Sequence, residues 1–210
     1  MNRNESWTRT IKDASPFKFV FPEFLAHLQS LELQPEHISG SVLVIGQSAA
    51  CPEKTLLATP ESSFKVLRRE VTSVFFCDSD LFTAPHIHFD NPVINTIDFD
   101  VLPQPRQGEI YFEMSSSYDF LQRAPTNFFD SALMFRVEDT GTQIADFDLI
   151  KQLAPHLKPG GFFICSGGRF PTHLKSEFFS PLSPVRVVQL PNYSGGYPFI
   201  NNMGAILQKM

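Results

Sequence analysis

At 210 residues the chain is long enough for one α/β domain with a full core and too short for two comfortable ones. Hydrophobic residues make up 42% of it, but no apolar run approaches the roughly 18 residues of a membrane span, so a soluble globular protein is expected. A formal net charge of -5 provides no basic footprint for nucleic acid, and 22 phenylalanines with 17 prolines fit a large core bounded by many turns rather than a disordered chain.

The chain opens with a polar arm, Met1 to Lys12, which lacks the apolar core of an export signal. In Phe17 to Leu33, the residues Phe21, Phe24, Leu25, Leu28 and Leu31 fall at helical spacing, predicting a helix that enters after Pro22 and packs as a lid on a sheet edge. Residues 1–40 thus read as an N-terminal arm and helical cap, and 41–210 as the main domain. The stretch Ser41 to Cys51 organises the rest. Four consecutive aliphatic residues, Val42 to Ile45, run into Gly46 and then into small or polar residues, the pattern of a strand covered on both faces and ending in a tight turn. Such strands belong to parallel sheets flanked by helices, whose ligands sit at the carboxyl ends of the strands, so the Gly46–Ala50 turn is the first place to look for a site. Cys51, Cys77 and Cys165 are odd in number and without framework spacing, which predicts free thiols and a reducing, cytoplasmic setting.

Pro52 to Glu70 is helical in tendency but broken at Pro60, predicting two short helices. Val71 to Cys77 is a second strand ending at Asp78, and Pro92 to Ile97 a third ending at Asp98. Tyr111 to Arg123 is ambiguous, with a helical tendency from Tyr118. Ser131 to Phe135 is a fourth strand, introduced by Phe129-Asp130 and followed by Arg136, Val137, Glu138 and Asp139. A helix is predicted from about Gln143 to Leu157, with Ile144, Phe147, Ile150, Leu153, Ala154 and Leu157 on one face, stopping at Lys158-Pro159-Gly160-Gly161. Phe162 to Cys165 is a fifth strand. Val185 to Leu190 and Met203 to Leu207 are two more, joined by the glycine-rich aromatic loop Pro191 to Asn202. Strands alternating with helices and closed by a hairpin imply a mostly parallel sheet with helices on both faces and a C-terminal antiparallel strand.

This order resembles the class I S-adenosylmethionine-dependent methyltransferases. Leu149 to Ile164, containing Leu157-Lys158-Pro159-Gly160-Gly161, looks like the family's helix, "LKPGG" turn and fifth strand. Phe129-Asp130 resembles its "FD" entry to the fourth strand, and Asp98 to Pro103 its "D-x-x-x-L-P" segment. The resemblance covers Val42 to Ile164, and the closing hairpin extends it to the C-terminus. It implies a Rossmann-like α/β fold over 41–210 and S-adenosylmethionine as cofactor. On that mapping Gly46, Gln47 and Ser48 line the methionine side, Asp78 holds the ribose hydroxyls, Asp98 the adenine amino group, and Arg136 sits with the cofactor. Glu138 and Asp139, after the fourth strand where the family contacts the acceptor, are the candidate catalytic residues. The family's first motif, "D/E-x-G-x-G-x-G", reads here as Val44, Gly46, Ser48 and Ala50, so the acid is missing and two glycines are replaced. That departure supports a competing class, a non-catalytic relative kept as a binding module. No "N/D-P-P-Y/F" follows the fourth strand, which counts against nucleic-acid bases and protein amides and favours a small-molecule acceptor.

Three other groupings bear on function. Tyr193, Tyr197 and Phe199 offer large faces on a glycine-hinged loop, suited to closing over an apolar or aromatic acceptor. Ser48 on its strand-to-helix turn approximates a nucleophile elbow, which Asp139 and His173 would complete as a triad, although the last glycine of the elbow is absent. His86-Ile87-His88-Phe89-Asp90 resembles half of a metal-binding signature, but Asn91 replaces the closing histidine, and no metal is expected.

Overall fold

In the computed structural model of the chain, which describes residues 30–46, 57, 70–78, 95–96, 108–135, 145–169, 179–189 and 202–210, the aliphatic run Val42 to Ile45 lies in the middle of a sheet. Its strands are β1 (Gly40–Ile45), β2 (Val71–Asp78), β3 (Asn95–Thr96), β4 (Glu109–Met114), β5 (Phe129–Phe135), β6 (Leu157–Arg169), β7 (Ser183–Gln189) and β8 (Asn202–Gln208). They lie side by side in the order β3-β4-β2-β1-β5-β6-β8-β7. Strands β1 to β6 are mutually parallel. Only β8 is reversed, pairing antiparallel with both β6 and β7, so β7 again runs with the parallel set.

The absence of alternation in β1 has the expected cause, because both faces of the strand are covered. Val42 and Val44 point into a cluster with Leu31, Leu33, Ile38 and Leu57. Leu43 and Ile45 point into a second cluster with residues of two helices, α1 (Ser117–Arg123) and α2 (Ala145–Leu153). Each fully buried aliphatic or aromatic side chain contributes about 1.5–3 kcal/mol relative to exposure, so the two clusters fix the strand from both sides. Phe75, Phe120, Phe129, Phe163 and Phe179 are buried on the second face, where Phe75 stacks on Tyr111 at 4.6 Å between ring centroids and meets Phe129 edge-on at 5.5 Å.

The structure adds one strand and moves one helix end. Beside β2 lies β4, a strand that the sequence reading did not separate out, and the third strand, described at Asn95–Thr96, lies one place further out. Overlapping the segment Tyr111 to Arg123, whose sequence reads ambiguously, Glu109 to Met114 forms a strand with Tyr111 and Phe112 buried on opposite faces of the sheet, and the helical tendency from Tyr118 falls in α1. The helix predicted to reach Leu157 ends at Leu153 and tightens into a 3-10 turn over Ala154–His156, since Pro155 has no N–H to continue the ladder. Lys158 to Gly161 is therefore no helix stop: it forms the bulged start of β6, where the register with β5 shifts between Phe129 and Ser131. The helical face itself is as expected, with Ile150, Leu153, Ala154 and Leu157 buried in one cluster.

Of the predicted N-terminal helix, Ser30 and Leu31 are described and helical, and Leu31 is fully buried. This segment is tied to the far edge of the sheet by Arg186, whose guanidinium donates to Ser30 O at 2.9 Å and to Glu32 Oε1 at 2.8 Å. Leu57 is helical and buried, and the rest of Pro52 to Arg69 lies outside the described residues. Cys77 and Cys165 are buried and in no disulfide, and Cys51 lies outside the described residues. No helix among the described residues is long and apolar enough to cross a membrane.

The amino ends of the strands are closely tied. Lys158 Nζ donates to both carboxylate oxygens of Asp130, at 2.9 and 2.8 Å, and Ser41 N donates to Asp130 Oδ2 at 2.8 Å. Ser131 Oγ accepts from Ser39 N and donates to Ser39 O, while Ser73 Oγ donates to Ser41 Oγ. The C-terminus closes the same rim: Gly160 N donates to Lys209 O, Lys209 N to Gly161 O, and Lys209 Nζ to Leu157 O at 2.7 Å. The "FD" and "LKPGG" residues are thus joined to one another in the fold, at the end of the sheet away from the predicted site.

Candidate functional site

The opposite rim, formed by the carboxyl ends of the parallel strands, is built around β1. Ile45 pairs with Cys77, and the next residue, Gly46, has φ +63 and donates its N–H to Cys77 O at 2.9 Å. A left-handed backbone at this position suits glycine and turns the chain sharply off the strand. Asp78 closes β2, one residue beyond Cys77, so the structure brings Gly46 and Asp78 together as neighbours on adjacent strands. Strand β1 is also flanked by β5 on its other side, with connections leaving in opposite directions. In open α/β sheets such a reversal opens a crevice at the carboxyl ends, where ligands bind.

Most of the other sequence-predicted residues follow strands that end on this rim. Gln47 and Ser48 follow Gly46, and Arg136, Glu138 and Asp139 follow Phe135, the last residue of β5. Tyr193 and Tyr197 belong to the connection between Gln189 of β7 and Asn202 of β8. All seven, together with Asp98, His86, His88, Asp90 and His173, lie outside the described residues. Strand β3, after which Asp98 comes, is separated from β2 by the whole of β4. Among the described residues no cluster of histidine, cysteine and carboxylate side chains could hold a metal ion.

The sequence reading missed what β4 brings to the rim. Its last residues pair with the end of β2, Glu113 with Cys77 and Met114 with Asp78. Met114 is a large apolar side chain left 53% exposed. The Glu113 carboxylate is paired through Oε1 with Arg123 of α1, yet its Oε2 is buried and has no hydrogen-bond partner among the described residues, and the same holds for Ser115 Oγ. Buried polar atoms are almost always partnered, and leaving one unpartnered is costly. The available signal was Gly108, an aromatic and β-branched run, and then three serines, of which Ser116 caps α1 by accepting from Asp119 N at 3.1 Å.

No protein-family model matches the sequence, and no curated protein sequence matches it. The fold, in contrast, has many relatives among solved structures. An N-methyltransferase, NodS from Bradyrhizobium japonicum, superposes with a TM-score of 0.55 over 94% of this chain and 98% of its own, at 14% identity. The same N-methyltransferase has been solved with S-adenosylhomocysteine bound, and in that form the TM-score is 0.54. A SAM-dependent methyltransferase from Leishmania major gives 0.54 over 99% of this chain and 85% of its own, at 10% identity. The fold is that of the class I methyltransferases. Spermidine synthase from Thermotoga maritima shares it too, with a TM-score of 0.51 over 92% of this chain and 60% of its own, at 16% identity. At these identities the likeness is one of fold, and the function has to be argued from the site.

Residues of the rim fit an S-adenosyl group in three respects. Gly46 offers a turn without a Cβ beside the strand end, Asp78 stands at the end of the neighbouring strand, and the unpartnered atoms of Glu113 and Ser115 lie one strand further on. One feature departs from the family. Val44, in the place of the acid of the first motif, is fully buried among apolar side chains, where a carboxylate would be desolvated.

Proposed function

We propose that the chain is an S-adenosylmethionine-dependent methyltransferase acting on a small-molecule acceptor. The observation that carries this reading is the juxtaposition of Gly46, in a left-handed turn at the end of β1, with Asp78 at the end of β2, at the point where the sheet reverses its winding. Bound there, the cofactor supplies a sulfonium methyl carbon that is already electrophilic. The protein then has to align an acceptor with the carbon–sulfur bond and, where the acceptor must lose a proton, accept it.

In this reading the backbone of Gly46, Gln47 and Ser48 lines the methionine end, and Asp78 accepts hydrogen bonds from the ribose hydroxyls. Arg136 lies with the cofactor, Glu138 or Asp139 takes the acceptor proton, and Tyr193 and Tyr197 close over the acceptor and exclude water. Ser48 is a turn residue. Calorimetric titration with S-adenosylmethionine and S-adenosylhomocysteine tests the reading. Both should bind, and Asp78→Asn should weaken binding by about 1–3 kcal/mol with the fold intact, the range for losing a charge-assisted hydrogen bond. Absence of binding by the wild-type protein would refute it.

A second reading has its own observation in its favour. Val44 removes the acid that helps to orient the methionine part in the family, which suits a binding module that holds the cofactor or its product without transferring the methyl group. Binding without turnover of any acceptor, across a panel of amines, phenols and carboxylic acids, would favour it.

A further inference from the structure

We propose that the methyl acceptor carries an anionic group, a carboxylate or a phosphate, which is received by Arg169 at the tip of a two-stranded ribbon standing above the carboxyl rim. The inference rests on the methyltransferase reading and names the class of acceptor within it. Strand β6 runs for 13 residues and outlasts its neighbour β5. Its pairing with β5 stops at Phe135 opposite Ser166, while its pairing with β8 continues through Gly168 opposite Met203 to Arg169 opposite Asn202. Carrying the registers across β2, β1, β5 and β6 puts Asp78 and Ser166 in one row, so Arg169 lies three residues beyond that row, past a register shift between Ser166 and Gly168. At about 3.3 Å per residue, less where a bulge takes up one of them, the ribbon rises roughly 7–10 Å above the row of Asp78. Strands β2 and β6 are three strand spacings apart, about 14 Å. The ribbon is thus a wall facing the cofactor half of the rim across a gap wide enough for a small acceptor.

The two sides of this gap differ in charge. On the cofactor side stands the carboxylate of Asp78, the Glu113 carboxylate being paired with Arg123. The ribbon carries no acid: Ser166, Gly167, Gly168 and Arg169 of β6 run beside Asn202, Met203 and Gly204 of β8. In a chain of net charge -5, a strand end with an arginine and no carboxylate is a local reversal of sign. An acceptor with a negative group is attracted to this wall and repelled from Asp78, so it enters in one orientation. A guanidinium suits the task, because its fork of N–H donors matches a carboxylate or phosphate in two parallel hydrogen bonds. Gly167 and Gly168 lack a Cβ and leave the backbone beside Arg169 open to close approach. Beyond Phe135 no described strand pairs with the β5 side of the ribbon, so backbone N–H groups on that edge add donors for the same group. The anionic group is an anchor and the methylated atom is another nucleophile of the acceptor. Its lone pair forms the new bond to the methyl carbon, the carbon–sulfur bond breaks with its electron pair going to sulfur, and a proton lost from the nucleophile goes to Glu138 or Asp139.

The test titrates benzoate, phenyl phosphate and uncharged benzamide by calorimetry into protein saturated with S-adenosylhomocysteine, with thermal melting as the check on folding. At least one of the two anions should bind and benzamide should not, and the tighter of the anions identifies the group as carboxylate or phosphate. Arg169→Gln should weaken the anion by about tenfold or more, the scale of one to two charge-assisted hydrogen bonds, and leave melting and S-adenosylhomocysteine affinity unchanged. Arg169→Lys, which keeps the charge without the fork, should recover part of the loss. If Arg169→Gln does not fold, Arg169→Lys carries the comparison, with weakened anion binding expected and an unaltered value counting against the proposal. Absence of binding by both anions, binding of benzamide as tight as theirs, or anion affinity unaltered in folded Arg169→Gln would overturn the assignment and leave the methyltransferase reading standing. Failure of the wild type to bind S-adenosylhomocysteine would overturn both.

Discussion

The two rims of the sheet are built from the same strands and are finished differently. At the amino rim Asp130, Lys158, Ser39, Ser41, Ser73 and Ser131 satisfy one another, and Lys209 pins the C-terminus to the start of β6. At the carboxyl rim, Gly46 holds a left-handed conformation, Met114 is exposed, and Glu113 and Ser115 each keep a buried atom without a partner among the described residues. A rim that only closes the fold can be saturated with hydrogen bonds. A rim that binds must keep some of its capacity in reserve, at a cost in stability. The residues that most resemble a known family, Phe129-Asp130 and Lys158 to Gly161, thus belong to the first rim and report the fold.

If the contrast is real, substitutions at the amino rim should act on stability and those at the carboxyl rim on ligand affinity. The largest effect on stability is expected from Gly40→Ala. Gly40 has φ +66, and an added Cβ would run into the Asp130 side chain and displace the carboxylate that Ser41 and Lys158 share. Left-handed strain plus overpacking puts the loss at about 3 kcal/mol, to be read from urea denaturation; a loss below about 1 kcal/mol would show that the rim is slack. Asp130→Ala should follow at about 1–2 kcal/mol, because Ser41 N and Lys158 lose their acceptor. That figure is already discounted for solvent, the Lys158 and Asp130 side chains being 43% and 30% exposed. Neither variant should alter cofactor affinity once refolded fraction is accounted for.

Gly46→Ala should cost about 1 kcal/mol in stability for its positive φ, with a disproportionate loss of S-adenosylhomocysteine affinity. Equal behaviour of Gly46→Ala and Asp130→Ala in the binding assay would erase the distinction between the rims. The smallest effect is a pH dependence at His37. Burial lowers its pKa from 6.5, with Glu36 opposing, and its Nδ1 accepts from Gln34 N at 3.0 Å while the ring packs edge-on against Phe162. The unfolded chain takes up the proton first, so stability is full above about pH 6.5 and is lost as pH falls through the lowered folded value. His37→Gln should flatten that part of the stability–pH curve and leave ligand binding unchanged; an unaltered curve would remove His37 from the account.

The sequence by itself determined which segments become the central strands and which way they face. Val42 to Ile45, Val71 to Cys77 and Ser131 to Phe135 carry their burial in their own residues, and a doubly covered strand has to read as an unbroken apolar run. It also located Gly46 and Asp78, since a glycine and a carboxylate directly after such runs fall on the ligand-binding rim of a parallel sheet. Only the tertiary structure decided which strand lies beside β2, where α2 gives way to β6, and which polar atoms at the rim stay unpartnered. Strand neighbours are chosen by packing between residues far apart in sequence. Tyr111 becomes a strand residue through its stack on Phe75, and Glu113 reaches the carboxyl rim through its pairing with Cys77 and Arg123, relations that no local periodicity encodes.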